Sequence, residues 1–598
     1  MSRKVLAIIF LGVITGLWVF AGSLTLPGEV IDFEIRNEDG VDTIFLEGSD
    51  IPAFKGGYPK LPGKEFNIML PPGSNFRSIQ IIEVSSENFE GINLSPSSPL
   101  IPLNGDQDFI TKVMLKALKT KETIYSTDKF FPEVDHFVIS AGVFRKYSYV
   151  TVRVHPFHYN PVTKELKVTT RFMIFVNYDD NMSRLSLDDS FYHDDVFRKD
   201  AEKTFINFHQ FETSYHRLSR EKNGISYDYL IVVPQITTDI EEMLNDFRNW
   251  KKALGHSVKL IDYTNDCGST PMGLRNYLRN NYLSWKAKYL LIISNDNNPV
   301  QNPQLSTSDI PMINMYPPYY IQWASEYATE YPSDYWYADL TGDWDSNGNG
   351  YYGEKDEVWT YDTGVDLAAE LYVGRIPINP NTSDNRNTIK SILARSIAYE
   401  DEISTRKDNI ILAGTVLFYQ NLNCGGGIRI DGALIKEKMR NDGVIPGIGW
   451  RMYEEAGVTP TPEYYSWITS DEAISATNLL NRWKTGNYST IGWFAHGAWT
   501  GSARTVWNSD TNNDGCPQYT EIGQPWMIHL SYDFSGCSDM IIFSGSCLNS
   551  ESEYDNLGKV LLRQCCVGFL GCSRVSYLSL IHISSPRDRT RSRMPSSA

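Results

Sequence analysis

The chain predicts a multidomain protein, with an N-terminal all-β sandwich followed by an α/β domain on a mostly parallel sheet. Three observations carry this. The 598 residues are too many for one core. From about Leu24 to Arg220, short apolar runs alternate with turn clusters. Beyond Tyr227, continuous apolar runs alternate with helical patterns.

Residues 1–23 read as a signal peptide. Arg3 and Lys4 precede an apolar run from Val5 to Phe20, and the small residues Ala21, Gly22 and Ser23 offer a cleavage site. The run is short for a membrane span and no other stretch approaches one, so a secreted or cell-surface protein without an integral membrane segment is expected. With 55 basic and 72 acidic residues, the net charge of −17 argues against a nucleic-acid footprint. Eight Cys in so long a chain make no disulfide framework.

Residues 24–215 supply the β-rich domain. Its strands are expected at Phe137–Phe144, Tyr149–Val154 and Phe172–Tyr178, with turns at Pro71-Pro72-Gly73 and Tyr159-Asn160-Pro161. The polar stretch 216–226 reads as an exposed linker. Residues 227–577 form the α/β domain. Tyr229–Val233 has the unbroken apolar character of a strand buried on both faces. The helix after it should bury Ile240, Met243, Leu244, Phe247, Trp250 and Leu254 and stop at Gly255. Further strands are expected at Ser257–Ile261, Tyr289–Ser294, Leu371–Val373, Asn409–Ala413, Thr490–Ala495 and Met540–Ser544. Residues 578–598, including LSLIHIS at Leu578–Ser584, resemble translated sequencing-adapter DNA and are left out of the fold; the natural chain is expected to continue past Tyr577.

Open α/β sheets place their chemistry at the carboxyl ends of strands. Two such ends carry reactive residues, His496 and Cys547. A thiolate nucleophile needs an imidazole to take its proton and return it to the leaving amine. A single His after a strand is usually structural, and a single Cys in an apolar run usually fills core; both at matching ends of an exported protein point to catalysis. The N–H groups of Gly497 and Cys547 are the expected oxyanion donors. Ser546 is a rival nucleophile without the G-x-S-x-G elbow.

Two segments match the D-x-[DN]-x-[DN]-G-x5-E spacing of a calcium loop. One offers Asp343, Asp345, Asn347, Asn349 and Glu354; the other offers Asp510, Asn512, Asp514 and Glu521. A solvated Asp/Asn/Gly turn is the plain alternative for either. Bound calcium is expected to be structural and to order the rim between His496 and Cys547.

FAHG at Phe494–Gly497, FSGSC at Phe543–Cys547 and ELYVGRIPI at Glu370–Ile378 resemble the gingipain family of cysteine peptidases. YPKLP at Tyr58–Pro62 and HPFHYNP at His155–Pro161 are similar to that family's propeptide. The resemblance implies a caspase-like catalytic fold, protein or peptide substrates, and a zymogen inhibited by its own prodomain. It also implies that Asp431, near the start of a helix, helps hold a basic substrate residue; a helix N-terminus would favour an Asp there anyway. Arg217 and Arg220 would then be self-processing sites. Two departures stand out. Ala495 replaces a usual Gly, and Val416–Tyr419 has no acid where family members place the residue that orients the His. A calcium-binding adhesion protein on an inactive peptidase scaffold is the rival interpretation; a metallohydrolase lacks an H-E-x-x-H motif.

Overall fold

The computed structural model describes residues 20–38, 40–46, 56–97, 99, 107–180, 189–216, 225–296, 302–317, 330–354, 362, 364–419, 429–441, 445–458 and 468–576. Most of the signal segment, Arg217 and Arg220 of the linker, and the 578–598 tail lie outside these residues. Ala21–Ser23, read as a cleavage site, fall in the strand Phe20–Glu29.

That strand pairs antiparallel with the long strand Glu165–Asp180, which also pairs with Asn75–Phe89 and Phe157–Asn160. A second antiparallel sheet joins Lys64–Met69, Tyr147–Val154 and His136–Phe144. Leu24, Ile174 and Val176 from the first sheet share one core with Ile68, Val150 and Val152 from the second. The expected turns form. Gly73 takes a φ of +70°, and the Asn160 side chain accepts the N–H groups of Val162 and Thr163.

The all-β expectation is corrected. A 19-residue helix, Gln107–Tyr125, interrupts the strands, and short helices follow at Asp189–Tyr192, Arg198–Thr204 and Phe208–Phe211. The long helix contains no Gly or Pro, and turns Val113, Met114, Ala117 and Ile124 away from solvent at helical spacing.

The α/β part holds two parallel sheets rather than one. The first runs Val258–Asp262, Tyr229–Val233, Tyr289–Ile293, Tyr372–Ile376. The second runs Glu472–Ala473, Gly449–Tyr453, Ile410–Gly414, Thr490–Phe494, Met540–Ser544, Cys566–Leu570. Every residue of Tyr229–Val233 is buried, as the apolar run requires. The helix Thr238–Ala253 buries Ile240, Met243, Leu244 and Phe247. Leu254 instead caps its end and is 47% exposed. The helix Ser383–Asp401 bridges the two sheets: Glu400 takes hydrogen bonds from Trp250 and Lys251 on one side, while Arg395 donates to the Leu562 carbonyl on the other.

Candidate active site

The two reactive strand ends are neighbours. Thr490–Phe494 and Met540–Ser544 run parallel in register, with Trp493 opposite Ser544. His496 and Cys547 each stand three residues further on, so both emerge at one carboxyl edge of the second sheet. The Gly545 N–H donates to the Trp493 carbonyl at 2.9 Å, locking the two ends together. Glycine is required twice here by close approach. A Cβ on Gly497 would overlap the main-chain N and O of Cys547, and one on Gly545 would overlap the Phe494 ring. The main chains of Gly497 and Cys547 therefore lie in contact. Ala495, the residue that departs from the family pattern, is fully buried in the sheet core.

His496 is 4% exposed, and its Nε2 lies 2.5 Å from the Leu417 carbonyl oxygen. A carbonyl can only accept, so Nε2 carries a proton and Nδ1 is left as the basic nitrogen. Leu417 belongs to the strand Val416–Tyr419. A main-chain oxygen lies against the imidazole where the sequence offered no acid. Every residue has that oxygen, so no side-chain pattern could have flagged it.

Cys547 is fully buried. Its Sγ lies 3.6 Å from the Ser576 carbonyl and accepts the Ser576 N–H at 3.2 Å. It packs with Leu417 and Phe494, and Met114 of the N-terminal helix closes over this group. Ser546 is also buried, and its hydroxyl makes no hydrogen bond among the described residues, which leaves it without a base.

Asn549 ties the two strand ends together in a way the sequence did not disclose. Its Oδ1 accepts the hydroxyls of Ser544 and Ser502, at 2.6 and 2.8 Å. Its Nδ2 donates to the carbonyls of Ala498 and Gly501, at 2.7 and 2.9 Å. One buried amide thus ties the turn after the thiol to the hairpin that starts at His496. The only sequence signal was a polar residue two places after Cys547.

Asp431 is buried at the end of Arg429–Asp431, the strand paired with Val416–Tyr419. Its carboxylate accepts the Ala433 N–H at 2.9 Å and so serves the start of the helix Gly432–Asn441. In the same helix Lys436 is wholly buried, 4.3 Å from the centre of the Phe494 ring and without a hydrogen-bond partner among the described residues. Burial brings its amine down to about 7.

The two calcium-like segments differ. In the first, Asn347 and Asn349 both donate to Glu354 Oε1, and the Asp345 carboxylate turns back onto the Gly350 N–H. Asp362 joins them, accepting from Ser346 and Gly353; burial and the adjoining Glu354 carboxyl push it up to about 7. In the second, Asp510, Asn512 and Asp514 collect main-chain N–H groups of their own turn. Glu521 faces inward, taking the N–H and hydroxyl of Thr511, the Trp507 indole and the Gln518 N–H. Its oxygens are committed to the protein, and this segment does not fit a cation. Among the described residues no three His, Cys, Asp or Glu side chains converge as a metal site.

Comparison with known proteins bears on the whole chain. The sequence profile of peptidase family C25 matches residues 223–594, and that of the C25 propeptide matches residues 35–217. The first match extends through most of the segment read above as adapter-derived. Gingipain R2 of Porphyromonas gingivalis is 26% identical over 230 residues, which span 37% of this chain and 28% of that protein. Among solved structures, the complex of Porphyromonas gingivalis RgpB pro- and mature domains is 19% identical, covering 31% of this chain and 92% of that one, with a TM-score of 0.24. The Arg-specific cysteine proteinase gingipain R (RGPB) is 14% identical, covering 62% and 67%, with a TM-score of 0.36.

Proposed function

The chain belongs to peptidase family C25 and carries that family's propeptide ahead of it, and from that premise we propose that it is a secreted cysteine endopeptidase with a caspase-like catalytic domain, made as a zymogen. The observation that carries this is the placement of His496 and Cys547 at adjacent ends of parallel strands, with Leu417 holding Nε2.

In the proposed reaction the Cys547 sulfur attacks the peptide carbonyl carbon as His496 Nδ1 takes the thiol proton. Negative charge on the carbonyl oxygen is met by the N–H groups of Gly497 and Cys547. His496 then protonates the departing amine, leaving a thioester on Cys547. Water, deprotonated by the same imidazole, hydrolyses the thioester and restores the thiol. The Leu417 carbonyl stabilises the imidazolium between these steps. It carries no full charge, so the pair is a Cys–His dyad with a main-chain orienter.

A preference for cleavage after basic residues rests on Asp431, a buried carboxylate on the strand beside the one that holds His496. Secretion is supported by the N-terminal apolar run and by Cys516, which is disulfide-bonded. Among the described residues no helix is long and apolar enough to cross a membrane. Calcium is proposed for the Asp343–Glu354 loop alone, where Asp343, Asp345, Asn347, Asn349 and Glu354 would hold it with Asp362.

A peptide carrying a thiol-directed warhead should label the processed protein on Cys547, and Cys547→Ala should abolish the label. A folded, processed protein that takes no label would instead favour an inactive scaffold.

A further inference from the structure

Away from the active site, three carboxyl groups are buried together where the N-terminal domain meets the catalytic domain. Asp339, Asp366 and Glu370 are each at most 1% exposed. Their covering is the tight hairpin between the strands His136–Phe144 and Tyr147–Val154. Asp366 Oδ2 accepts the Val143 N–H at 2.9 Å, and Glu370 Oε1 accepts the Arg145 N–H at 3.2 Å. Thr341 donates its hydroxyl to the Val143 carbonyl. Gly142 lies so close that a Cβ would overlap the Asp366 side chain. Arg145 holds a left-handed φ of +58°, a conformation disfavoured for a residue with a Cβ and here fixed by the docking contacts.

The cations nearby make no ion pair with these carboxyls among the described residues, although the Arg275 charge opposes the rise of Asp339. The Arg145 guanidinium pairs with Asp194 of its own domain and donates to the carbonyls of Tyr282, Ala287 and Glu370. The Arg275 guanidinium serves the carbonyls of Trp336, Asp339 and Gly342. Tyr149 donates to the Asp366 carbonyl oxygen, and Tyr282 to that of Arg145. Asp339 accepts the Gly342 N–H and the Trp344 indole, and the Thr341 hydroxyl lies 3.3 Å from Asp366 Oδ2 and 2.9 Å from Glu370 Oε1. Burial and mutual repulsion drive three carboxyl groups in one dry site toward the protonated form, against the main-chain N–H groups of Val143, Arg145, Leu340, Thr341, Gly342 and Ala368 that they accept.

We propose that the 142–147 hairpin and the carboxyl group cluster of Asp339, Asp366 and Glu370 form a proton-held latch between the N-terminal and catalytic domains, which opens as the medium becomes alkaline. The sign follows from linkage. Burial first, then their mutual repulsion, raises Asp366 and Glu370 above the ordinary carboxyl value, and burial raises Asp339. Docking therefore takes up protons. Its contribution is full below the ordinary carboxyl range and is lost as pH rises through the raised values. If the chain is a zymogen, as proposed above, the latch makes propeptide release pH-dependent.

The test uses the full chain as Cys547→Ala, so that neither self-cleavage nor the peptidase assignment affects the readout. Hydrogen exchange, corrected for the intrinsic pH dependence, is followed from pH 6 to pH 9 for peptides over 142–147 and over the strand Glu165–Asp180. Protection of the hairpin should fall about tenfold or more, with the reference strand unchanged. Asp366→Asn with Glu370→Gln should flatten the profile. Constant hairpin protection in the parent chain would overturn the proposal, as would an unaltered slope in a folded double variant. Should the double variant not fold, the parent profile decides alone.

Discussion

Replacing Asn549 by Ala tests whether the site is assembled as described. The substitution removes four hydrogen bonds at once. The hydroxyls of Ser502 and Ser544 can rotate to new partners, but the carbonyls of Ala498 and Gly501 cannot. A buried acceptor without a partner costs about 1–3 kcal/mol, so two imply about 2–6 kcal/mol. The same amide sets the distance between the turn after Cys547 and the hairpin that begins at His496. A displacement near one ångström at reacting groups costs on the order of 100-fold in rate. On the processed protein, labelling of Cys547 by a peptide-directed thiol reagent should slow about 100-fold, and the melting temperature should fall by about 5 °C or more. Asn549→Asp should do at least as badly, because it sets a buried negative charge against two carbonyl oxygens. A labelling rate and melting temperature equal to the parent's in Asn549→Ala would refute the reasoning.

Gly497→Ala should abolish peptide hydrolysis while preserving the fold, since its Cβ would displace the Cys547 main chain; parent-like kcat/KM would count against the oxyanion assignment. Met114→Asp should speed labelling of Cys547 in the uncleaved chain, because Met114 covers the thiol's apolar surroundings; an unchanged rate would remove the N-terminal helix from that role. Lys436→Met should raise the melting temperature, and more at pH 6 than at pH 9. The buried amine is depressed to about 7, so the unfolded chain binds the extra proton between there and the ordinary lysine value, and stability rises with pH over that window. Equal gains at both pH values would contradict this. Chelation by EDTA should lower the melting temperature and Asp345→Asn should remove that sensitivity; indifference to chelation would sink calcium binding at the Asp343–Glu354 loop.

The catalytic sheets were legible because strands such as Tyr229–Val233, buried on both faces, leave unbroken apolar runs. The same rule pointed to the edge where His496 and Cys547 stand. The helix Gln107–Tyr125 escaped notice because its apolar residues are scattered among many charged ones. The single sheet became two because alternation of strands and helices reports neighbours but not where a sheet ends. Leu417 could not be read, since its contribution is a carbonyl. Asn549 could not be read either, because its importance lies in four partners from two other segments. Asp339 and Asp366 carry no sequence signal; only the approach of Gly142 and Val143, more than 190 positions away in the chain, makes a dry site of them.

These placements separate two events that a zymogen is often assumed to combine. Cutting between 216 and 226 would sever the covalent link, yet the docking contacts of Arg145 and Met114 lie in other segments. Arg145 would remain bound to the carbonyls of Tyr282, Ala287 and Glu370, and Met114 would remain against Leu417, Phe494 and Cys547. Withdrawing Arg145 without its Asp194 partner would leave a buried charge unpaired, at a cost of about 3–5 kcal/mol, so the hairpin and the 189–204 helices should leave together. The Ser576 main chain would still cover the sulfur, because it belongs to the catalytic domain itself. Exposure of the thiol therefore requires two movements, departure of the N-terminal domain and displacement of 572–576, and only the first is tied to the proton-held carboxyls.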